Sequence, residues 1–188
     1  IFFIVNALHS KKNKNLKKLI QTKFLSEKYD VNILISEYKG HCIKLAEEAV
    51  EKKANIVVAC GGDGTVNEVG QSLIKKPVLL GVIPLGSGNG FARHFNIPRN
   101  LNYALDIISK NFSTTIDVGK INKRFFFSNF GLGVEAKFIE EYSKIKTRGL
   151  LGYIISFLKI ISTYKKQKIE IEFNNIRKKI FPFLFLIS

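Results

Sequence analysis

Two short runs hold most of the residues that could do chemistry. Gly61-Gly62-Asp63-Gly64-Thr65 follows the apolar run "NIVVAC", and Gly86-Ser87-Gly88-Asn89-Gly90 follows "VLLGVIP". Glycines directly after a buried strand let successive backbone N–H groups approach an anion. A helix starting there adds its partial positive charge. Thr65 can cap that helix or donate to a phosphate oxygen. Asp63 is out of place in a simple anion nest, because a carboxylate repels phosphate unless a cation intervenes or the carboxylate takes a proton. That combination points to Mg²⁺ chemistry or an acid–base role. Ser87 and Asn89 are hydrogen-bonding groups sized for phosphate or ribose. Neither run is a Walker A loop or the dinucleotide G-x-G-x-x-G. The plain alternative for the first run is a glycine-rich turn with Asp63 as a cap, and for the second a simple turn.

Other candidates gather around these runs. Asn6 ends the first apolar run, and the basic loop with Lys11 and Lys12 follows it. An amide and basic side chains at that edge would suit a triphosphate or adenine. Asn67 and Glu68 fall in the first turn after the first glycine run, where an acid is also favourable to the helix dipole. Arg93 could neutralise a phosphate or simply sit on a solvated helix face, and His94 reads as structural. His9 and His41 join no metal cluster. Farther on, Gly131 and Gly133 precede Glu135, and glycines in a strand mark a bend or a close approach. Glu135 and Asp117 could each point into an interdomain cleft.

The elements that must position these groups follow from apolar periodicity. "IFFIVN", "VNILIS", "NIVVAC" and "VLLGVIP" read as buried strands. Helices are expected at about 15–29, from His41 to Lys53, from "TVNEVGQSLI" and over "LNYALDIIS". Strands apolar on both faces, alternating with helices, give an α/β fold with a parallel sheet covered on both sides. In such a sheet ligands bind beyond the carboxyl ends of the strands, where both glycine runs lie. The rhythm changes near residue 112. Strand-like pieces flank "KINK", "KIEIEF" alternates with Ile169, Ile171 and Phe173 on one face, "NNIRKK" reads as a hairpin connection and "IFPFLFLI" returns. This predicts an α/β domain over 1–113 and an incomplete antiparallel β-rich domain over 114–188.

Thirty Lys and Arg against fifteen Asp and Glu give a formal charge of +15, which favours an anionic partner. Nucleic acid is not expected, since the lysines form no single dense block and no recognition motif accompanies them. Leu150, Ile154, Phe157, Leu158 and Ile161 share one helical face, flanked by Lys144, Lys146, Arg148, Lys165, Lys166 and Lys168. That helix either covers a sheet or meets lipid. No apolar run reaches the ~18 residues of a membrane span. Cys42 and Cys60 make no disulfide framework, as expected in a reducing compartment. The chain has no methionine and opens and closes in apolar runs, so both ends read as cut.

"GGDGTVNEV" followed by "GSGNGFARHFNIP" resembles the diacylglycerol kinase-like lipid kinases, which include bacterial lipid kinases and sphingosine kinases. "IDVG", "FFFSNFGLGVEA" and "RGLLGYIISFLK" resemble that family's second domain. "GGDGT" alone is shared with NAD kinases and phosphofructokinases; its combination with "NEV" and "GSGNG" is what is specific. The resemblance implies a three-layer N-terminal domain of the NAD kinase and diacylglycerol kinase type. It implies ATP and Mg²⁺ as cofactors. Gly61, Gly62, Gly64 and Thr65 would hold phosphates, with Asp63 near magnesium or the reacting hydroxyl. Gly86, Ser87, Gly88 and Asn89 would complete the nucleotide site, supported by Asn6, Asn67 and Glu68. Asp117 and Glu135 match acidic positions lining the cleft. The implied substrate is a membrane lipid, diacylglycerol above others, met from the cytoplasm by peripheral contact with an anionic membrane; association as a homodimer is left open.

This sequence also departs from the family. The usual Asn-Pro after the first strand is "NALHSKK" here, and Gly90 stands where many members carry Asp. The family's late Asp-Gly-Glu motif, whose aspartate is assigned as general base in the bacterial enzymes, is not reached. The rivals are a soluble NAD-kinase-like or phosphofructokinase-like kinase, and a non-catalytic nucleotide- or lipid-binding module.

Overall fold

The computed structural model describes residues 1–7, 10–25, 28–134, 136–138, 141, 154–155, 157–160 and 164–187. The chain forms two compact units, Ile1–Ser128 and Asn129–Ser188. Residues 114–128, which the change of rhythm assigns to the second part, are counted with the first unit.

The first unit is built on a four-stranded parallel sheet. Its strands are β1 (Phe2–Asn6), β2 (Asn32–Ser36), β3 (Ile56–Gly61) and β4 (Leu79–Pro84), in the order β2-β1-β3-β4. Helices α1 (Ser10–Lys23), α2 (His41–Glu51) and α3 (Asp63–Leu73) make the crossovers, and α4 (Gly90–His94) and α5 (Leu101–Ser109) follow β4. Side chains alternate across a strand. Phe2 and Ile4 therefore join α2 and α3 in one core, with Cys42, Ala46, Val57, Val66 and Val69. Phe3 and Val5 face the other way and join α1 and α5, with Leu16, Ile20, Val58, Cys60 and Leu105. This is the three-layer α/β fold expected from strands apolar on both faces. Phe3, Ile4, Leu16 and Ile20 are fully buried, each stabilising the fold by roughly 1.5–3 kcal/mol.

The strand order sets the ligand edge. From β1 the chain crosses outward to β2, then returns past β1 to β3. The switch point therefore lies between the carboxyl ends of β1 and β3, at Asn6 and Gly61, where open α/β sheets bind ligands.

Two helix bounds differ from the sequence expectation. α1 starts earlier and ends at Lys23, because the Lys- and Asn-rich run is itself helical and Leu16, Ile20 and Phe24 carry the buried stripe. α3 starts at Asp63, because the Gly62 carbonyl already accepts from the N–H groups of Thr65 (2.9 Å) and Val66 (3.1 Å). Thr65 thus lies within the first turn and is not the cap.

After α5, β5 (Gly119–Ile121) and β6 (Arg124–Phe126) form an antiparallel hairpin around Asn122-Lys123. The tip of the Phe127 ring then packs on α3 at Gly70, where an added Cβ would stand 2.6 Å from Cζ. Its ring meets that of Phe91 edge to face, with centroids 6.4 Å apart.

The second unit is antiparallel. β7 (Phe130–Gly133) pairs with β10 (Leu184–Ile187), and β8 (Ile169–Phe173) with β9 (Ile176–Ile180). The connection expected over "NNIRKK" is only Asn174-Asn175. Both residues have positive φ, 48° and 63°, the geometry of a tight two-residue hairpin turn. Phe173 therefore pairs with Ile176, and "IRKKI" becomes strand. Of the expected basic-flanked helix, 154–155 and 157–160 are described as helical. Ile154, Ile155, Phe157 and Leu158 are exposed and Ile160 is buried. Leu150, Ile161, Lys144, Lys146 and Arg148 lie outside the described residues. Among the described residues, no helix is long and apolar enough to cross a membrane.

Candidate functional site

At the switch point β3 ends in Gly61, and Gly62 in extended backbone (φ −93°) caps α3 without any side-chain bond. The first turn of a helix leaves amide donors without partners. Here the N–H groups of Asp63 and Gly64 meet no acceptor among the described residues. They form the donor end of an 11-residue helix, and such an end favours an anion.

Thr65 does not project into this edge. It is buried, and its Oγ1 accepts from Asn6 Nδ2 at 3.1 Å. The bond ties the end of β1 to α3 across the switch point. The Thr65 side chain lies against Gly61, where a Cβ would stand 2.2 Å from Oγ1 and 2.5 Å from Thr65 Cβ. Gly61 is therefore required by packing.

The second loop leaves β4 directly beside the first. Leu85 donates its N–H to the Gly61 carbonyl at 2.9 Å, and Gly62 and Gly86 touch backbone to backbone. A Cβ on Gly86 would stand 2.6 Å from Gly62 Cα. Asn89 is buried with φ 52°, and its Nδ2 donates to the Gly86 carbonyl at 2.8 Å. Asn89 Oδ1 is buried without a hydrogen-bond partner. Ser87 and Gly88 are exposed at the tip.

Asp63 joins the two loops. Its Oδ2 accepts from the Gly90 N–H at 3.0 Å, and its Oδ1 from the Phe91 N–H at 2.9 Å. The sequence-expected phosphate residues Gly61, Gly62, Asp63, Gly64, Gly86, Ser87, Gly88 and Asn89 are thus brought to one sheet edge, with Asn6 and Thr65 beneath them.

Other candidates fall elsewhere. Glu68 Oε1 accepts from the Gly40 N–H at 3.2 Å, which anchors the turn between β2 and α2. Asn67 is half-buried on α3 and bonds to neither loop. Asp117 is exposed ahead of β5 and makes no hydrogen bond or ion pair among the described residues. Glu135, His9 and the side chains of Lys11 and Lys12 lie outside the described residues. Arg93 and His94 are exposed on α4, and the His94 ring leans on Phe95 at 4.7 Å. One residue was missed by sequence reasoning: Arg99 Nη2 donates to the Gly86 carbonyl at 3.4 Å. No spacing rule marks it, since it follows α4 through "NIP". His41 is not a ligand; its Nδ1 accepts from the Glu37 N–H, and its ring stacks on Tyr38 at 4.4 Å.

The two thiols are buried. Burial pushes both upward, Cys60 strongly and Cys42 against opposing hydrogen bonding from Ser36. Neither is poised as a nucleophile.

A magnesium site can be tested against these donors. Among the described residues, no group of three or more His, Cys, Asp or Glu could hold a metal. Asp63 has lone pairs left after two N–H bonds, since a carboxylate accepts about four. It fits one contact to a magnesium carried mainly by phosphates and water, the usual mode for that ion.

The family profile described as the diacylglycerol kinase catalytic domain matches residues 1–121. Diacylglycerol kinases of Staphylococcus aureus strains JH9 and Newman are each 32% identical over 151 residues, 78% of this chain and 48% of theirs. The chain therefore spans about half the length of the curated relatives it matches. A putative diacylglycerol kinase from Bacillus anthracis str. Sterne superposes with a TM-score of 0.72 at 26% identity, covering 98% of this chain and 64% of that one. A second structure so described gives 0.71, again at 26% identity, over 62% of its length.

Proposed function

The chain belongs to the diacylglycerol kinase catalytic domain family, and from that premise we propose that it carries the nucleotide-binding part of an ATP-dependent lipid kinase. The reaction transfers the γ-phosphoryl group of ATP to a lipid hydroxyl, with diacylglycerol giving phosphatidic acid. The observation that carries the reading is the pair of interlocked glycine loops at the carboxyl ends of β3 and β4, with the Asp63 and Gly64 amides facing out of α3.

Phosphoryl transfer asks a protein mainly to position its reactants and offset charge. The N–H groups of Asp63 and Gly64 would bind non-bridging phosphate oxygens. The exposed tip at Ser87 and Gly88 would contact the remaining phosphate or ribose. Arg99, held at the Gly86 carbonyl, adds positive charge to the same wall. Bound magnesium would supply further charge neutralisation, with Asp63 as its one carboxylate contact from the described residues. The formal +15 fits approach to an anionic membrane surface, where each nearby Lys or Arg is worth about 1 kcal/mol.

The test is transfer of label from γ-labelled ATP to dispersed diacylglycerol, with NAD offered as a competing acceptor. Both this chain and the longest product of its gene are assayed. Labelled phosphatidic acid is expected from the longest product; labelled NADP without lipid product would overturn the reading.

A further inference from the structure

The sequence leaves a puzzle: a carboxylate set into an anion cradle. The structure gives it a partner other than metal or substrate. Asp63 spans to α4 and takes the N–H of Gly90 on one oxygen and of Phe91 on the other, at 3.0 and 2.9 Å. These are the first two donors of a five-residue helix. Asn89, in the cap position, would ordinarily serve the Phe91 N–H through its side chain. It does not, because it is left-handed (φ 52°) and its amide is turned to the Gly86 carbonyl. The missing cap is supplied from 27–28 residues away in sequence.

The second loop also closes around the carboxylate. A Cβ on Gly88 would stand 3.5 Å from Asp63 Oδ2, and one on Gly90 3.6 Å from Oδ1. Hydrogen bonds that N–H groups make to a charged carboxylate are stronger than neutral ones. They also draw its negative charge toward the second loop. Isolated short helices are marginal, so α4 and the loop before it depend on this tether.

We propose that Asp63 is a positioning residue. Its carboxylate holds the Gly86–Gly90 loop against the Gly61–Thr65 loop, so that both present their donors as one preformed wall. This rests on the nucleotide-binding reading above, and the experiment separates the two.

Asp63→Asn and Asp63→Ala are compared with the unaltered chain, well below their melting temperatures, by two measurements. The first is amide hydrogen exchange over residues 86–95, which needs no nucleotide. Gly90 and Phe91 are expected to be protected in the unaltered chain. Their exchange should quicken by tenfold or more in Asp63→Ala and by less in Asp63→Asn, which keeps one acceptor oxygen. Equal exchange in all three overturns the proposal. The second is titration with a fluorescent ADP analogue in EDTA. A positioning role predicts at least tenfold weaker binding in Asp63→Ala, and a loss at least as large when Mg²⁺ is restored and the carboxylate's metal contact is also gone. A carboxylate acting only on metal or proton predicts unchanged or tighter binding in EDTA, because a negative charge beside the polyphosphate is gone. That result also overturns the proposal. No ADP binding by the unaltered chain would count against the nucleotide reading, and the exchange data alone would then decide the tether.

Discussion

Gly86→Ala is the sharpest perturbation of the proposed wall. The new Cβ would stand 2.6 Å from Gly62 Cα, 3.3 Å from Gly62 N and 2.8 Å from Asn89 Oδ1. The nearest neighbour is backbone and cannot rotate away. Ordinary contact begins near 3.4 Å, so the loops must separate by about 0.8 Å, a displacement of the kind that costs roughly 1–3 kcal/mol in a packed interior. Such a shift also stretches the Asp63 bonds to Gly90 and Phe91, so the upper end of that range applies. At about 2–4 °C per kcal/mol for a chain of this size, the melting temperature should fall by about 6–12 °C. The assay is thermal unfolding followed by circular dichroism. Gly64→Ala is the matched control. Its Cβ would meet nothing within 4 Å, and replacing a helical glycine gains up to about 1 kcal/mol. A Gly86→Ala protein melting within 2 °C of the unaltered chain would show that the loops are not in contact, and the wall argument would fail.

Two further predictions use parts of the first unit away from the loops. Gly70→Ala drives a methyl to 2.6 Å from the Phe127 ring, and should destabilise the unit by about 1–3 kcal/mol. Combining it with Phe127→Leu should recover part of the loss in a double-mutant cycle, whereas strict additivity would mean that the two do not touch. Cys60 gives a pH signature. Its thiol is held neutral by burial, while the unfolded thiol ionises near the ordinary value of 9.0. The unfolded state therefore binds fewer protons above pH 9, so stability is intact below that pH and falls as pH rises, by about 1.4 kcal/mol per unit for this group. Urea unfolding from pH 8 to 10 should show the fall. Cys60→Ala should make the fall shallower, leaving the part that buried Cys42 contributes, and an unchanged slope would refute the assignment.

The three-layer fold was legible because its evidence is local. "IFFIV" is apolar at every position, and a strand so built must be covered on both faces, as Phe2 and Phe3 show by entering opposite cores. The two glycine runs were legible for the same reason, each being a strand end followed by a helix. What could not be read was the choice of partner across the chain. Glu68 lies one turn into α3, where a nucleotide role looked natural, yet it serves Gly40 because β2 ends beside that helix. Thr65 looked like a cap and is instead turned inward to Asn6. Asn89 looked like a ligand contact and is folded back onto its own loop. Arg99 carried no signal at all. Each outcome depends on where a loop comes to rest relative to a distant residue, and periodicity holds no record of that.

The glycines of the two runs answer to different demands, and the difference bears on where the proposed ligand would lie. Gly61 is fixed by the Thr65 side chain and Gly86 by the Gly62 backbone, while a Cβ on Gly62 would be tight, 3.3 Å from Gly86 Cα. Gly61 and Gly86 would be glycine whether or not anything bound. Gly64 is not required by the fold, since its Cβ would enter open space on an exposed first turn. A glycine there is less favourable than alanine by about 1 kcal/mol. Its bareness makes sense as room for a group approaching the α3 amides from outside. A wall held rigid by Asp63, as proposed, would bind that group without first ordering two loops, and less of the interaction would be lost to conformational entropy. The same preorganisation would serve the proposed phosphoryl transfer, where fixed donors aimed at developing charge do most of the work.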